Sequence, residues 1–246
     1  MRPVLRLEPS GRTHSVCRAF TALMLFLSAA AVCHGQEPAA VSPHPQEPSA
    51  VSFKSTDGVD LKGHLFGKGT TGVVLVHMFP ADQKSWFPYA RRLAGVGCLA
   101  LTFDCRGYGE SGGQKVIGEI DRDLEGAYQF IQSRVQKVFL MGASMGGTAA
   151  IQVAARKPTA GVVSLSGPVA FRGLDALDAI KKLKAPILLI AAEGDRSAAE
   201  SARWFSQAAA GPETLLVVPG SEHGTNLLDG PNARKLDEAI LQFLRR

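Results

Sequence analysis

Nowhere does the chain cluster Lys and Arg with interleaved aromatics, the pattern by which a basic protein tracks a nucleic-acid backbone. The net charge of +5 and pI near 9.1 do not restore that reading. Residues 1 to 35 carry Arg2, Arg6, Arg12 and Arg18 against Glu8 and so supply most of the excess; the remainder is close to neutral. Apolar runs long enough for a bilayer are also missing. The run from Ala19 to Val32 is about fourteen residues, whereas a spanning helix needs about twenty, so no stable membrane span is expected. His and Cys at metal-ligand spacing are lacking, as is a G-x-G-x-x-G after a strand, and no cofactor is expected.

Cysteine is scarce, with four in 246 residues. Cys17 and Cys33 fall in or beside the N-terminal apolar segment. Cys98 and Cys105 bracket one predicted strand, which holds them about 20 Å or more apart, beyond disulfide reach. Any stability must therefore come from a core, and 46% hydrophobic against 20% charged residues is ordinary for one soluble domain.

Four arginines, then a short apolar run, then small residues up to Gly35 have the order of a secretory signal. We read residues 1–35 as a signal peptide cut before Gln36, and the protein as exported, periplasmic or secreted. The alternative makes Cys33 a lipid-bearing cysteine, but Val32 before it is larger than that site accepts. Residues 36–50 hold four prolines and no hydrophobic period, which reads as a disordered linker. The folded domain is assigned to 51–246.

From Val51 short β-rich runs alternate with helical patterns, the mark of an α/β domain with a mainly parallel sheet flanked by helices. Two alternating runs around Asp57-Gly58 predict an antiparallel hairpin at the sheet edge. Strands are predicted over 72–78, 98–104, 137–143, 161–167, 186–193 and 214–220. Helices are predicted near 85–95, 118–134, 145–156, 174–183, 198–210 and 232–246. The inner strands are continuously apolar, as burial on both faces requires.

Gly142-Ala143-Ser144-Met145-Gly146 is a G-x-S-x-G sequence between a predicted strand and helix, the only setting in which the motif has meaning. The turn must be sharp, with the serine hydroxyl exposed and the helix starting against its strand, and small flanking residues permit that. The helix start would also offer the Met145 N–H to a developing oxyanion. A plain helix-capping serine is the bland alternative.

A serine hydroxyl needs a base, and the base a carboxylate. His14, His34, His44 and His64 lie in the signal, the linker or the early hairpin. His223, in a glycine-bounded loop after the last strand, is the preferred base, with His77 at the end of the first long strand as the alternative. Asp195 follows its strand in the turn AEGDRS and is the preferred orienting acid. Glu193, closer to the strand end, is the rival.

The order Ser, Asp, His along an alternating β/α chain resembles the α/β-hydrolase superfamily from Val51 onward. Asp104-Cys105-Arg106-Gly107-Tyr108-Gly109-Glu110-Ser111 is similar to that family's D-x-R-G-x-G-x-S turn, read as structural, with Asp104 and Arg106 able to pair. The family's oxyanion loop reads His-Gly, where this chain has His77-Met78. The resemblance implies the Phe79 N–H as first oxyanion donor, with Met78 the fallback, and the Met145 N–H as second. Only about twenty residues follow the strand GVVSLSG, where larger members insert a cap. The resemblance is thus to small uncapped serine hydrolases of dienelactone-hydrolase size, with a cleft bordered by Phe79, Trp86, Met145, Val169, Phe171 and Leu227. It implies a serine esterase acting on a small-molecule ester. The alternatives are a peptidase or acyl-aminoacyl hydrolase of the same fold, and a catalytically silent binding module. Oligomeric state has no signature in the sequence.

Overall fold

A computed structural model describes residues 47–246. The stretch read as signal peptide, with Cys33, and residues 36–46 of the linker lie outside the described residues. The first strand, β1 (Ser49–Lys54), begins inside the segment read as linker, because Ser49 and Ala50 already pair with Leu65 and His64 of β2 (Asp60–Phe66). The two form the antiparallel hairpin, with β1 at the sheet edge.

The chain continues through β3 (Thr71–Val76), a short 3-10 turn, α1 (Phe87–Ala94), β4 (Cys98–Phe103), α2 (Ile120–Gln132), β5 (Lys137–Ala143), α3 (Met145–Ala154) and β6 (Gly161–Leu165). A two-residue-per-strand hairpin follows, β7 (Ala170–Phe171) and β8 (Leu174–Asp175), then α4 (Leu177–Lys182), β9 (Ile187–Ala192), α5 (Arg196–Ala208), β10 (Glu213–Val218) and α6 (Ala233–Leu244). The predicted helix over 174–183 is thus replaced at its start by a strand. Several predicted strands also stop short: His77 and Met78, Asp104, and Ser166 and Gly167 leave the ladder to form loops at its rim.

The main sheet runs β1-β2-β4-β3-β5-β6-β9-β10, antiparallel across β1, β2 and β4 and parallel elsewhere. Side chains alternate across it, so each apolar strand feeds two cores. Val74, Val76 and Leu140 pack with α2, α3 and α5 on one face. Val73, Leu75, Phe139 and Met141 pack with α1 and α6 on the other. Leu124 and Ile131, or Leu236, Ile240 and Phe243, are the apolar stripes that the helices turn inward.

After β3 the chain moves to β4 on one side, then returns to β5 on the other side of β3. Connections at the carboxyl ends of β3 and β5 therefore diverge, and a crevice opens there; open α/β sheets bind ligands at such a switch point. Between β6 and β9 lie only residues 166–186, which hold the small hairpin and α4 and no inserted domain.

Candidate active site

Ser144 occupies the turn between β5 and α3 with φ 50° and ψ −118°. A non-glycine residue with positive φ is strained, and such strain persists only where the surroundings fix it. Here the fixing contacts are the Ser144 N–H donating to the Leu165 carbonyl at 2.8 Å and the Gly147 N–H donating to the Ser144 carbonyl at 2.8 Å. The turn also needs its glycines. A Cβ on Gly142 would collide with the Gly146 backbone, and one on Gly146 would collide with the Val76 carbonyl and stand 2.9 Å from that of His77.

His223 precedes a 3-10 turn (Gly224–Leu228) after β10, and Asp195 caps α5 after β9. The His223 Nδ1–H donates to Asp195 Oδ2 at 2.6 Å. The carboxylate is sheltered, with 14% side-chain exposure against 42% for the imidazole. In the neutral ring that bond selects the Nδ1–H tautomer, in which Nε2 is the nitrogen that can accept a proton. The Gly224 N–H donates to Ser166 Oγ at 3.1 Å, which ties the histidine loop to the end of β6. Ser144 and His223 line one cavity of about 260 Å³, with Phe79, Ser166, Phe171 and Ser197 among its walls.

Glu193 faces away and pairs with Arg203 at 2.7 Å. His77 is fully buried, and both ring nitrogens are engaged. Its Nδ1–H donates to the Met78 carbonyl at 3.0 Å, and its Nε2 accepts the Cys105 N–H at 3.1 Å. Burial pushes its pKa down and keeps the ring neutral, which suits a brace and leaves no nitrogen free for a serine. The Met78 carbonyl and the Phe79 N–H belong to one peptide plane, so His77 pins the group expected as first oxyanion donor. Met145 heads α3, where the first N–H groups of a helix have no acceptor within it.

Three sequence readings change. Asp104 and Arg106 do not pair with each other. Asp104 accepts from the Gln83 N–H and Nε2, both at 2.9 Å, and from the Glu110 N–H at 3.1 Å. Arg106 instead bonds Asp123 and Asp57, at 2.8 and 2.7 Å. A buried guanidinium has five donors and needs several acceptors, which α2 and the β1–β2 turn supply; the same contact drives the Asp57 carboxyl well below the usual range. Trp86 and Leu227 belong to the core beneath α1 and α6, and Met145 to the opposite core. Of the six residues assigned to the cleft, Phe79 and Phe171 line the cavity. Ser166 was missed as a site residue; its signal was a small polar residue at the end of a buried strand on the same rim. A separate cavity of about 290 Å³ between α1 and α6 contains Tyr89, Arg92 and Asp237 and none of the residues marked in the sequence.

A family model described as serine aminopeptidase, S33, matches residues 70–174, which include Phe79 and Ser144. An uncharacterized protein of Mycobacterium tuberculosis is 29% identical over 222 residues, spanning 79% of this chain and 78% of that protein. Among solved structures, an esterase from Pyrococcus furiosus superposes with a TM-score of 0.73 at 18% identity, covering 81% of this chain and 91% of the esterase. A dienelactone hydrolase from Anabaena variabilis reaches 0.66 at 25% identity, covering 80% and 96%. These likenesses give the described residues the α/β-hydrolase fold, and residues 70–174 resemble the matched hydrolase family. Hydrolase is the class of activity that these matches support.

Proposed function

We propose that the protein hydrolyses carboxylic esters, or related thioesters and lactones, through an acyl-enzyme on Ser144. In this reading His223 takes the Ser144 proton and returns it to the leaving alcohol, and Asp195 holds the imidazole and stabilises its charged form. The Phe79 and Met145 N–H groups receive the developing oxyanion. The observation that carries it is the 2.6 Å Asp195–His223 bond beside a cavity that His223 shares with a strained Ser144. The esterase and dienelactone hydrolase among the structural neighbours favour an ester over an amide. The name of the matching family model keeps peptide bonds as the second reading.

Turnover of p-nitrophenyl esters of graded chain length, set beside aminoacyl p-nitroanilides, separates the two. Ester hydrolysis with kcat/KM at least about a hundredfold above that of the anilides is expected, since no carboxylate is among the described residues that line the cavity to hold a free α-amino group. Preferential anilide cleavage would transfer the site to the peptidase reading.

A further inference from the structure

The β7–β8 hairpin turns on two residues, Arg172 and Gly173, between the paired Phe171 and Leu174. Both have positive φ, 46° and 94°, as a tight two-residue hairpin turn demands. Glycine and asparagine are the ordinary occupants of the first position, and an arginine there holds its backbone under strain. The Arg172 guanidinium carbon stands 4.4 Å from the centre of the Phe79 ring and 5.4 Å from that of Phe171. Those two rings are walls of the cavity that contains Ser144 and His223, so the turn sets a positive charge against its aromatic wall.

Carboxylates that might have neutralised that charge are engaged elsewhere. Asp175, on the same hairpin, accepts the Leu177 N–H at 2.8 Å. Asp195 is bonded to His223, Asp178 lies against Lys181, and Glu193 against Arg203. Among the described residues Arg172 has no ion-pair partner. The Arg172 charge also acts on the Tyr108 phenol, opposing the upward push of burial, and Lys115 Nζ lies 4.5 Å from that ring's centre.

We propose that the Ser144 site takes esters bearing a carboxylate a few atoms from the scissile carbonyl, and that Arg172 is the residue that selects for it. A guanidinium held over an aromatic face by its cation–π attraction can still turn an edge outward, and that edge presents paired N–H donors matching the two oxygens of a carboxylate. The aromatic walls then receive the short apolar spacer. This rests on the ester reading of the site.

The test uses two acyl chains of one shape, monomethyl succinate, which ends in a carboxylate, and methyl isocaproate, which ends in an isopropyl group. The wild-type kcat/KM should favour the succinate at low salt, and R172Q should lower the ratio of the two by about two- to fivefold, the scale of an exposed charge pair. R172K should keep part of the preference, having the charge without the fork. A wild-type preference for isocaproate, or an R172Q ratio equal to wild type, overturns the proposal. Calorimetric titration of S144A with monomethyl succinate, with and without R172Q, needs no turnover. Arg172-dependent binding without hydrolysis of either ester sinks the ester reading and keeps the anion site. Hydrolysis of both with a ratio indifferent to R172Q does the reverse, and absence of both binding and hydrolysis sinks the anion site as well.

Discussion

A carboxylate two residues along a turn from another can serve a different purpose altogether, and Glu193 and Asp195 divide in this way. Asp195 is sheltered and bonded to the histidine, whereas Glu193 is exposed and bonded to Arg203. Asp195→Asn is expected to reduce kcat by about a thousandfold or more, because an amide no longer holds the Nδ1–H tautomer. Glu193→Gln removes only an exposed pair and should change kcat less than twofold. Burst-phase measurement of acylation reads both, and a reversed order assigns the orienting acid to Glu193. At this scale the sequence was informative where a residue type is chemically constrained. Ser144 stood in a motif, and four of the six histidines were set aside by place, which left His223 and His77. It was uninformative for Arg106, whose acceptors Asp57 and Asp123 come from segments 49 and 17 residues away. The D-x-R-G turn suggested a local pair, and the fold made a distant one.

Elements are positioned here by close backbone approach more than by any side chain. Gly146 lets α3 start against the carbonyls of Val76 and His77, the last residues before the Met78-Phe79 loop. Gly146→Ala is therefore expected to cost about 2 kcal/mol, the scale of overpacking a tight interior. Its thermal midpoint should fall by about 4–8 °C in a domain of this size, with activity falling further as the loop is displaced. Gly95→Ala is the control: its φ of −64° suits alanine and its nearest neighbour is the Arg92 carbonyl at 3.4 Å, so Tm should hold or rise slightly. Equal Tm for Gly146→Ala and wild type, by calorimetry, would mean that the helix start has slack. Long periodic elements were legible, and β5 spans Lys137–Ala143 as its apolar run predicts. The β7–β8 hairpin was not, since two-residue strands have no period to detect. Yet that hairpin brings Phe171 to the cavity wall and Arg172 against the Phe79 and Phe171 rings.

Across the whole molecule, the order of strands decides where chemistry is possible. The α/β class and the early hairpin follow from alternation and from a turn dipeptide, both local signals. The arrangement β4-β3-β5 is a long-range property, and it alone makes the ends of β3 and β5 a crevice. Residues 78 and 79 from one strand end, 144 from the next, 195 and 223 from two more meet on one rim because parallel strands all end on the same side. The sequence marked each of these positions separately; the topology brings them to the same edge. If that edge is a serine hydrolase site, Ser144 alone among the serines should be nucleophilic. The most direct measurement is labelling of the protein with a fluorophosphonate probe, followed by peptide mass mapping and by the same assay on Ser144→Ala. A single phosphonylated peptide carrying Ser144 is expected, with loss of both labelling and ester turnover in the variant. Labelling centred on Ser111, Ser166 or Ser197, or undiminished turnover by Ser144→Ala, would contradict it.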